Sequence, residues 1–139
     1  MPDLKYFILQ KYDDKILNYL KTRNNFFQLI DKKAIVSEVQ VGEAIRKTER
    51  YIQHNDNIHF PGNVLLMYLS GTRQIDIAIN KCGISKETER GIIVYSNKSD
   101  LEFLIREKYI EITERFLPYD IPEKDFEVFS NMAKVDVIL

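Results

Sequence analysis

The tripeptide Ser70-Gly71-Thr72 separates two apolar segments and constrains how the chain around it can fold. Residues 64–69 are all apolar or aromatic, and Gly71 can end a helix there because glycine adopts the left-handed C-cap conformation without steric cost. Thr72 suits the N-cap of a second helix, which we expect to run to Gly83, again a C-cap glycine. The sequence therefore predicts two helices that meet at this junction.

Another helix is predicted over residues 38–53 by its start signal and its periodicity. Ser37 and Gln40 match the Ser-x-x-Gln capping box, in which each side chain satisfies a free amide of the first turn. At about 100° per residue, one side of this helix collects Val41, Ala44, Ile45, Thr48, Tyr51 and Ile52. The other side carries Glu43, Arg46, Lys47 and Arg50. We interpret the two sides as a core face and a solvated face.

Three short apolar or aromatic segments predict strands, at residues 5–11, 26–31 and 91–97. We expect the second to pair antiparallel with the first and these two to form the middle of a sheet. The third lies between a glycine and a turn, and its apolar content predicts a place at the sheet centre.

The remaining segments complete an α+β fold: a small, mainly antiparallel sheet with five or six helices packed around it, in a single domain over residues 1–139. Proline, asparagine and glycine content predicts loops at residues 54–63 and 111–122. The apolar end, residues 135–139, is either a small edge strand or a surface meant for a partner. Further helices are expected at residues 14–22, 101–109 and 123–132.

Composition excludes several classes of function. Cys82 is the single cysteine and His54 and His59 are the two histidines, so a disulfide framework is excluded and we expect no metal site. Residues 1–98 carry 15 Lys or Arg against 11 Asp or Glu, whereas residues 99–139 carry 5 against 10. Contact with nucleic acid would therefore be local. We expect a cytoplasmic protein, because the N-terminal apolar run is short and no segment approaches a membrane span of roughly 18 residues.

No pattern in the chain points to catalysis. Phosphate-binding glycine loops, nucleophile elbows and zinc-protease motifs are absent from the sequence. Cys82 lies on the apolar stripe of its predicted helix, which favours a buried, inert thiol. We expect a protein without cofactor or catalytic residues.

Arg73 is the one candidate for ligand binding that the residues themselves supply. The free amides at a helix start carry the positive end of the helix dipole, so an arginine beside them can bind a phosphate or carboxylate. With Ile75, Ala78, Ile79 and Cys82 taken as the inward stripe, Ile77 faces outward with Arg73, Asn80 and Lys81. This side is either a contact surface or an ordinary solvated face.

The segment Leu-Ser-Gly-Thr-Arg-Gln-Ile, residues 69–75, and Ala-Ile-x-Lys-x-Gly-Ile, residues 78–84, resemble the PRPK-binding-protein (TPRKB-like) family. That family supplies the small non-catalytic subunit of the KEOPS complex of archaea and eukaryotes. The resemblance extends over the whole order of predicted elements. It implies binding to the small atypical kinase/ATPase subunit, with the transferase subunit as an indirect partner.

The resemblance also implies a role in tRNA modification. KEOPS places a threonylcarbamoyl group on the adenosine beside the anticodon, and archaeal family members help to recruit tRNA through its single-stranded CCA end. We expect Arg73, with the amides at Gly71 and Thr72, to meet a tRNA phosphate, and the basic residues of helix 38–53 to extend this patch: Arg46, Lys47 and Arg50. The kinase contact is expected on Ile77, or on the terminal residues Val135, Val137 and Leu139.

Two alternatives remain open from the sequence. One is a purely structural partner that activates its kinase and never touches RNA. The other is a small enzyme whose site is built from dispersed residues.

Overall fold

One four-stranded antiparallel sheet positions every other element. The computed structural model describes residues 2–137, and its strands are β1 (Asp3–Leu9), β2 (Phe27–Asp31), β3 (Arg90–Tyr95) and β4 (Ile110–Thr113). Their order across the sheet is β2-β3-β1-β4. Tyr6 of β1 pairs with Ile92 of β3, and Ile92 in turn pairs with Ile30 of β2.

Helices cover both faces of this sheet. Six lie within residues 2–137: α1 (Asp14–Thr22), α2 (Glu38–Gln53), α3 (Pro61–Ser70), α4 (Ile75–Cys82), α5 (Lys98–Arg106) and α6 (Glu127–Val137). Two short 3₁₀ turns, Lys32–Ala34 and Glu123–Asp125, lie in the connecting segments.

Successive side chains of a strand point to opposite faces, so the sheet supports two separate cores. On one face, β-strand residues such as Ile30, Ile92 and Val94 pack with α2, α3, α4 and α6. On the other face, Leu29 and Ile93 pack with α1 and α5. The predicted α+β class is confirmed.

The prediction that β1 pairs with β2 is wrong, because β3 lies between them. Residues 91–95 are buried on both faces, and such a strand gains most from two hydrogen-bonded neighbours. Gly91 permits the close approach on the β2 side, because a Cβ there would overlap the carbonyl of Ile30. The expected central position of this strand is confirmed, and β2 takes an edge.

One prediction for the last third of the chain, and one of the two alternatives for its apolar end, are also wrong. Residues 110–113 form β4 beside β1 instead of starting a loop, and the alternation Ile-Glu-Ile-Thr is the signal that marks it. The C-terminal segment continues α6 to Val137 instead of forming an edge strand. Ile138 and Leu139 lie outside the described residues.

The Ser-Gly-Thr junction ends α3 as predicted. Gly71 adopts the left-handed conformation with φ of 76°, and the amides of Gly71 and Thr72 both donate to the Met67 carbonyl, at 2.9 and 3.2 Å. Helix α6 packs directly on this glycine, since a Cβ at Gly71 would lie 3.1 Å from the Asn131 carbonyl oxygen. The glycine therefore serves both the turn and the docking of α6.

We predict that Gly71→Ala lowers the free energy of unfolding by about 1–3 kcal/mol, because a side chain in the left-handed conformation is strained and also crowds Asn131. Gly42→Ala is the matched control. Gly42 lies inside α2, and a Cβ at this position would have no neighbouring atom within 4 Å, so alanine should raise stability by about 1 kcal/mol. Urea denaturation of both variants measures the difference, and an equal response at the two positions would contradict the packing described here.

Candidate binding site at the Ser-Gly-Thr-Arg junction

Arg73 lies in the linker between α3 and α4. Its Nε donates a hydrogen bond of 2.9 Å to the carbonyl of Val135 in the last turn of α6, and its guanidinium carbon lies 5.5 Å from the centre of the Tyr51 ring. The carbonyls near the C-terminal end of a helix carry partial negative charge. Arg73 thus binds the negative end of α6.

The prediction that Arg73 marks a helix start is wrong. Helix α4 begins at Ile75 with Gln74 as its N-cap, because the Thr72 hydroxyl accepts the Gln74 amide, at 3.2 Å, in a local turn before the helix. The amide of Thr72 is already bonded to Met67. An anion site made from these amides is therefore not preformed.

One end of the Arg73 guanidinium is still uncommitted. Its Nη2 is buried and has no hydrogen-bond partner among residues 2–137. Arg73 also lines a groove of about 380 Å³, which we call the Arg73 groove. Its walls are mostly apolar or aromatic, with a few amides and one imidazole: Tyr51, Asn57, Ile58, His59, Phe60, Asn63, Val64, Met67 and Ile75.

Asp136 contacts two of the other cations that the sequence singles out, Lys47 and Arg50. Its Oδ2 lies 2.8 Å from Lys47 Nζ and 3.6 Å from an Arg50 Nη atom, while its Oδ1 accepts a 2.6 Å hydrogen bond from the Tyr68 hydroxyl. Burial opposes ionisation of Asp136, but the hydrogen bonds from Lys47 and Tyr68 hold its pKa below the usual range. Burial and the bond to Asp136 also raise the pKa of Tyr68.

Arg46 is paired within α2. Its Nε donates to Glu43 Oε2 at 3.0 Å, and this hydrogen bond raises the Arg46 pKa and lowers that of Glu43. Every basic side chain expected to bind tRNA therefore has an oxygen partner inside the protein. The structure brings Lys47, Arg50 and Arg73 to one turn of α6, and it keeps Arg46 apart from that turn.

The exposed face of α4 differs from the predicted one. Ala78 and Cys82 are buried against α3, whereas Ile75 and Ile79 are 37% and 40% exposed and Ile77 is half-buried. The helical periodicity therefore assigns too many residues of α4 to the core, since Ile75 and Ile79 are exposed. Only the pair spaced by four residues at 78 and 82 faces the core, because a helix of two turns presents a narrow contact to its neighbour.

Ile79 borders a small apolar pocket that sequence reasoning missed. The pocket has a volume of about 120 Å³ and lies between α1, α3 and α4. We call it the α1/α4 pocket. Its apolar lining is Leu17, Leu20, Phe60, Leu66, Ile79 and Ile84. Phe60 and Asn63 line both this pocket and the Arg73 groove, so the two concavities adjoin.

The structure does not place the C-terminal residues predicted at the kinase interface on an exposed apolar surface within the described residues. Val135 is fully buried against the core, so it is not available to a partner in this state. The backbone of Val137 lies in α6, and Leu139 lies outside the described residues. Val135 is buried because this segment is helical: in a helix, residues three apart lie on the same side, so Val135 faces the core together with Met132.

A protein-family model described as "Kinase binding protein CGI-121" matches residues 9–138. The chain belongs to the CGI-121 family. This confirms the resemblance carried by residues 69–75 and 78–84. No curated protein sequence matches the chain. The description of the CGI-121 family names a kinase as the partner, without specifying the surface that binds it.

The cysteine and the two histidines of this CGI-121 family chain do not form a reactive or metal-binding cluster within the described residues. Burial raises the pKa of the Cys82 thiol to about 11, and His54 and His59 are both exposed. Within residues 2–137, His, Cys, Asp and Glu side chains do not cluster in threes as a metal site would require. Helices in this part of the chain are too short or too polar to cross a bilayer.

Asp136 gives a pH-dependent test of the α6 contacts. Since its pKa is lowered in the folded protein, the ionised carboxylate stabilises the fold above the ordinary aspartate value of 3.8, and this contribution is lost as the pH falls through the lowered folded value. We expect Asp136→Asn to melt at a lower temperature than the parent protein at pH 7. The gap should close as the pH falls below 3.8.

The matched control is Asp120→Asn, at an exposed aspartate in the loop before α6. Thermal unfolding followed by circular dichroism between pH 7 and pH 3 compares the two variants. A gap for Asp136→Asn that stays constant with pH would mean that its charge does not hold α6.

Proposed function

We propose that this chain is a non-catalytic, cytoplasmic binding subunit of the KEOPS complex that docks the small atypical kinase/ATPase subunit. The α1/α4 pocket beside exposed Ile79 carries this proposal. Membership of the CGI-121 family supplies the class of partner, and the pocket supplies a place for it. The transferase subunit would be reached through the kinase.

The chemistry of the pocket suits a protein partner. Interfaces are anchored where a few large apolar side chains meet a well-formed concavity from which water is excluded. Phe60 and Ile79 are 41% and 40% exposed at the rim, and Leu66 lies buried at the floor. Covering these side chains removes apolar surface from water, which favours association.

We expect Ile79→Glu to weaken binding of the kinase subunit at least tenfold, because a carboxylate at the rim would be desolvated without a partner. Ile105→Glu is the matched control. Ile105 is 42% exposed on α5 and does not line the α1/α4 pocket. Isothermal titration with the purified kinase subunit measures both. Equal affinities for the two variants would place the kinase elsewhere.

The second part of the proposal is recruitment of tRNA through its single-stranded CCA end. Single-stranded RNA is held by stacking of bases on aromatic side chains and by cations on phosphates. The Arg73 groove offers both kinds of group, since Tyr51 and Phe60 line it and Arg73 Nη2 still lacks a partner among residues 2–137. We therefore place the RNA end in this groove.

The internal pairing of the cations favours one alternative. Glu43 neutralises Arg46, and Asp136 neutralises Lys47, so the chain could support its kinase without any RNA contact. In that case the Arg73 contact to α6 would be purely structural.

Binding of intact tRNA and of tRNA lacking CCA, at one salt concentration, separates these two roles. We expect intact tRNA to bind more tightly, and Arg73→Glu to lower its affinity about tenfold. Arg106→Glu is the control, since it makes the same charge change on α5. Thermal melting verifies that Arg73→Glu remains folded. Equal binding of the two tRNAs would favour the kinase-supporting role alone.

A further inference from the structure

A single turn of α6 occupies almost all of the groups expected to bind RNA. The Val135 carbonyl accepts a hydrogen bond from Arg73, and the Asp136 carboxylate accepts hydrogen bonds from Lys47 and Tyr68. Arg50 forms an ion pair with the same carboxylate at 3.6 Å. These donors come from α2, α3 and the linker after α3. Elements distant in the sequence thus converge on two consecutive residues of the C-terminal helix.

The geometry around Asp136 is that of an anion site. Both carboxylate oxygens are used, Oδ2 by two cations and Oδ1 by the Tyr68 hydroxyl. Lys47 and Arg50 lie three residues apart on α2, so both point to the same side of the helix. A phosphate oxygen accepts the same kinds of hydrogen bond as a carboxylate oxygen and carries the same sign of charge.

An outside anion can displace the Asp136 carboxylate from its contacts with Lys47 and Arg50. The Asp136 side chain is 33% exposed and the Arg50 side chain is 49% exposed, so solvent and ligands reach the contact between them. Helix α6 is anchored independently by Met132 and Val135, which are fully buried. The carboxylate can therefore exchange with an outside anion while the apolar anchor of α6 stays in the core.

We propose that the last turn of α6 is an autoinhibitory strap, in which Asp136 occupies the place of an RNA phosphate on Lys47, Arg50 and Tyr68. This inference rests on the proposed RNA-binding function and names its regulation. RNA binding displaces Asp136 and loosens the turn around it, while the buried side chains of Met132 and Val135 keep α6 in the core. Affinity for RNA is thereby set by competition within the chain.

The test measures the affinity of a full-length tRNA transcript ending in CCA for the full chain and its variants. We expect Asp136→Asn to bind about tenfold more tightly than the parent protein. Its salt dependence should be steeper by about 0.7 for each additional phosphate that the variant binds. Asp120→Asn removes the same charge outside the cluster and should change the affinity less than about twofold.

A second comparison locates the increase in affinity. Combining Lys47→Met with Asp136→Asn should abolish the increase, because the freed cation has gone. An Asp136→Asn protein that binds no more tightly than Asp120→Asn, while the parent still prefers intact tRNA, overturns the strap and leaves the proposed function standing. Failure of every variant to bind tRNA overturns both. Binding by Asp136→Asn alone supports the strap.

The parent protein gives an independent readout if Asp136→Asn loses its cooperative melt. The side-chain carboxyl carbon of Asp136, followed by NMR, should shift as tRNA is added, since Lys47 and Tyr68 no longer donate to it. An unchanged resonance at saturating tRNA would overturn the proposal.

Discussion

Burial of α3 is the constraint on which the helical layer depends. Residues 64–69 of this helix are all buried, and they pack against the sheet, α2, α4 and α6. A helix that is apolar on all sides must be covered on all sides. The chain meets this need by ending α3 sharply at Gly71 and by laying α6 across the turn, where a side chain larger than hydrogen would meet Asn131.

The same requirement explains the position of the polar residues around α3. Once α6 covers α3, the Val135 carbonyl of α6 lies beside Arg73 of the α3–α4 linker, and Asp136 of α6 lies beside Lys47 of α2. Arg73 then donates a hydrogen bond to the Val135 carbonyl in the last described turn of α6. The Ser-Gly-Thr-Arg motif thus has a structural role, the docking of α6, before any ligand is considered. The proposed RNA contact uses the Arg73 Nη2 atom, which does not take part in the hydrogen bond from Nε to α6.

Local signals predicted much of this fold. The bounds of α1 and α2 match the predicted ones, and Ser37 caps α2 by accepting the Gln40 amide. Two of the failures depend on contacts distant in sequence. The pairing of β1 with β3 and the inward turn of Val135 arise from packing between segments that no local pattern relates. The candidate site shows the same division, since Arg73 is recognisable from its motif but its partner lies 62 residues away.

The central claim is that the last turn of α6 competes with RNA for the same donors. Hydrogen exchange of the backbone amides in this turn, compared between the free chain and the chain saturated with CCA-ended tRNA, tests it most directly. The account predicts faster exchange in the last turn of α6 when RNA is bound, while the amides of α3 keep their protection. Unchanged or slower exchange in that turn, with RNA bound, would contradict it.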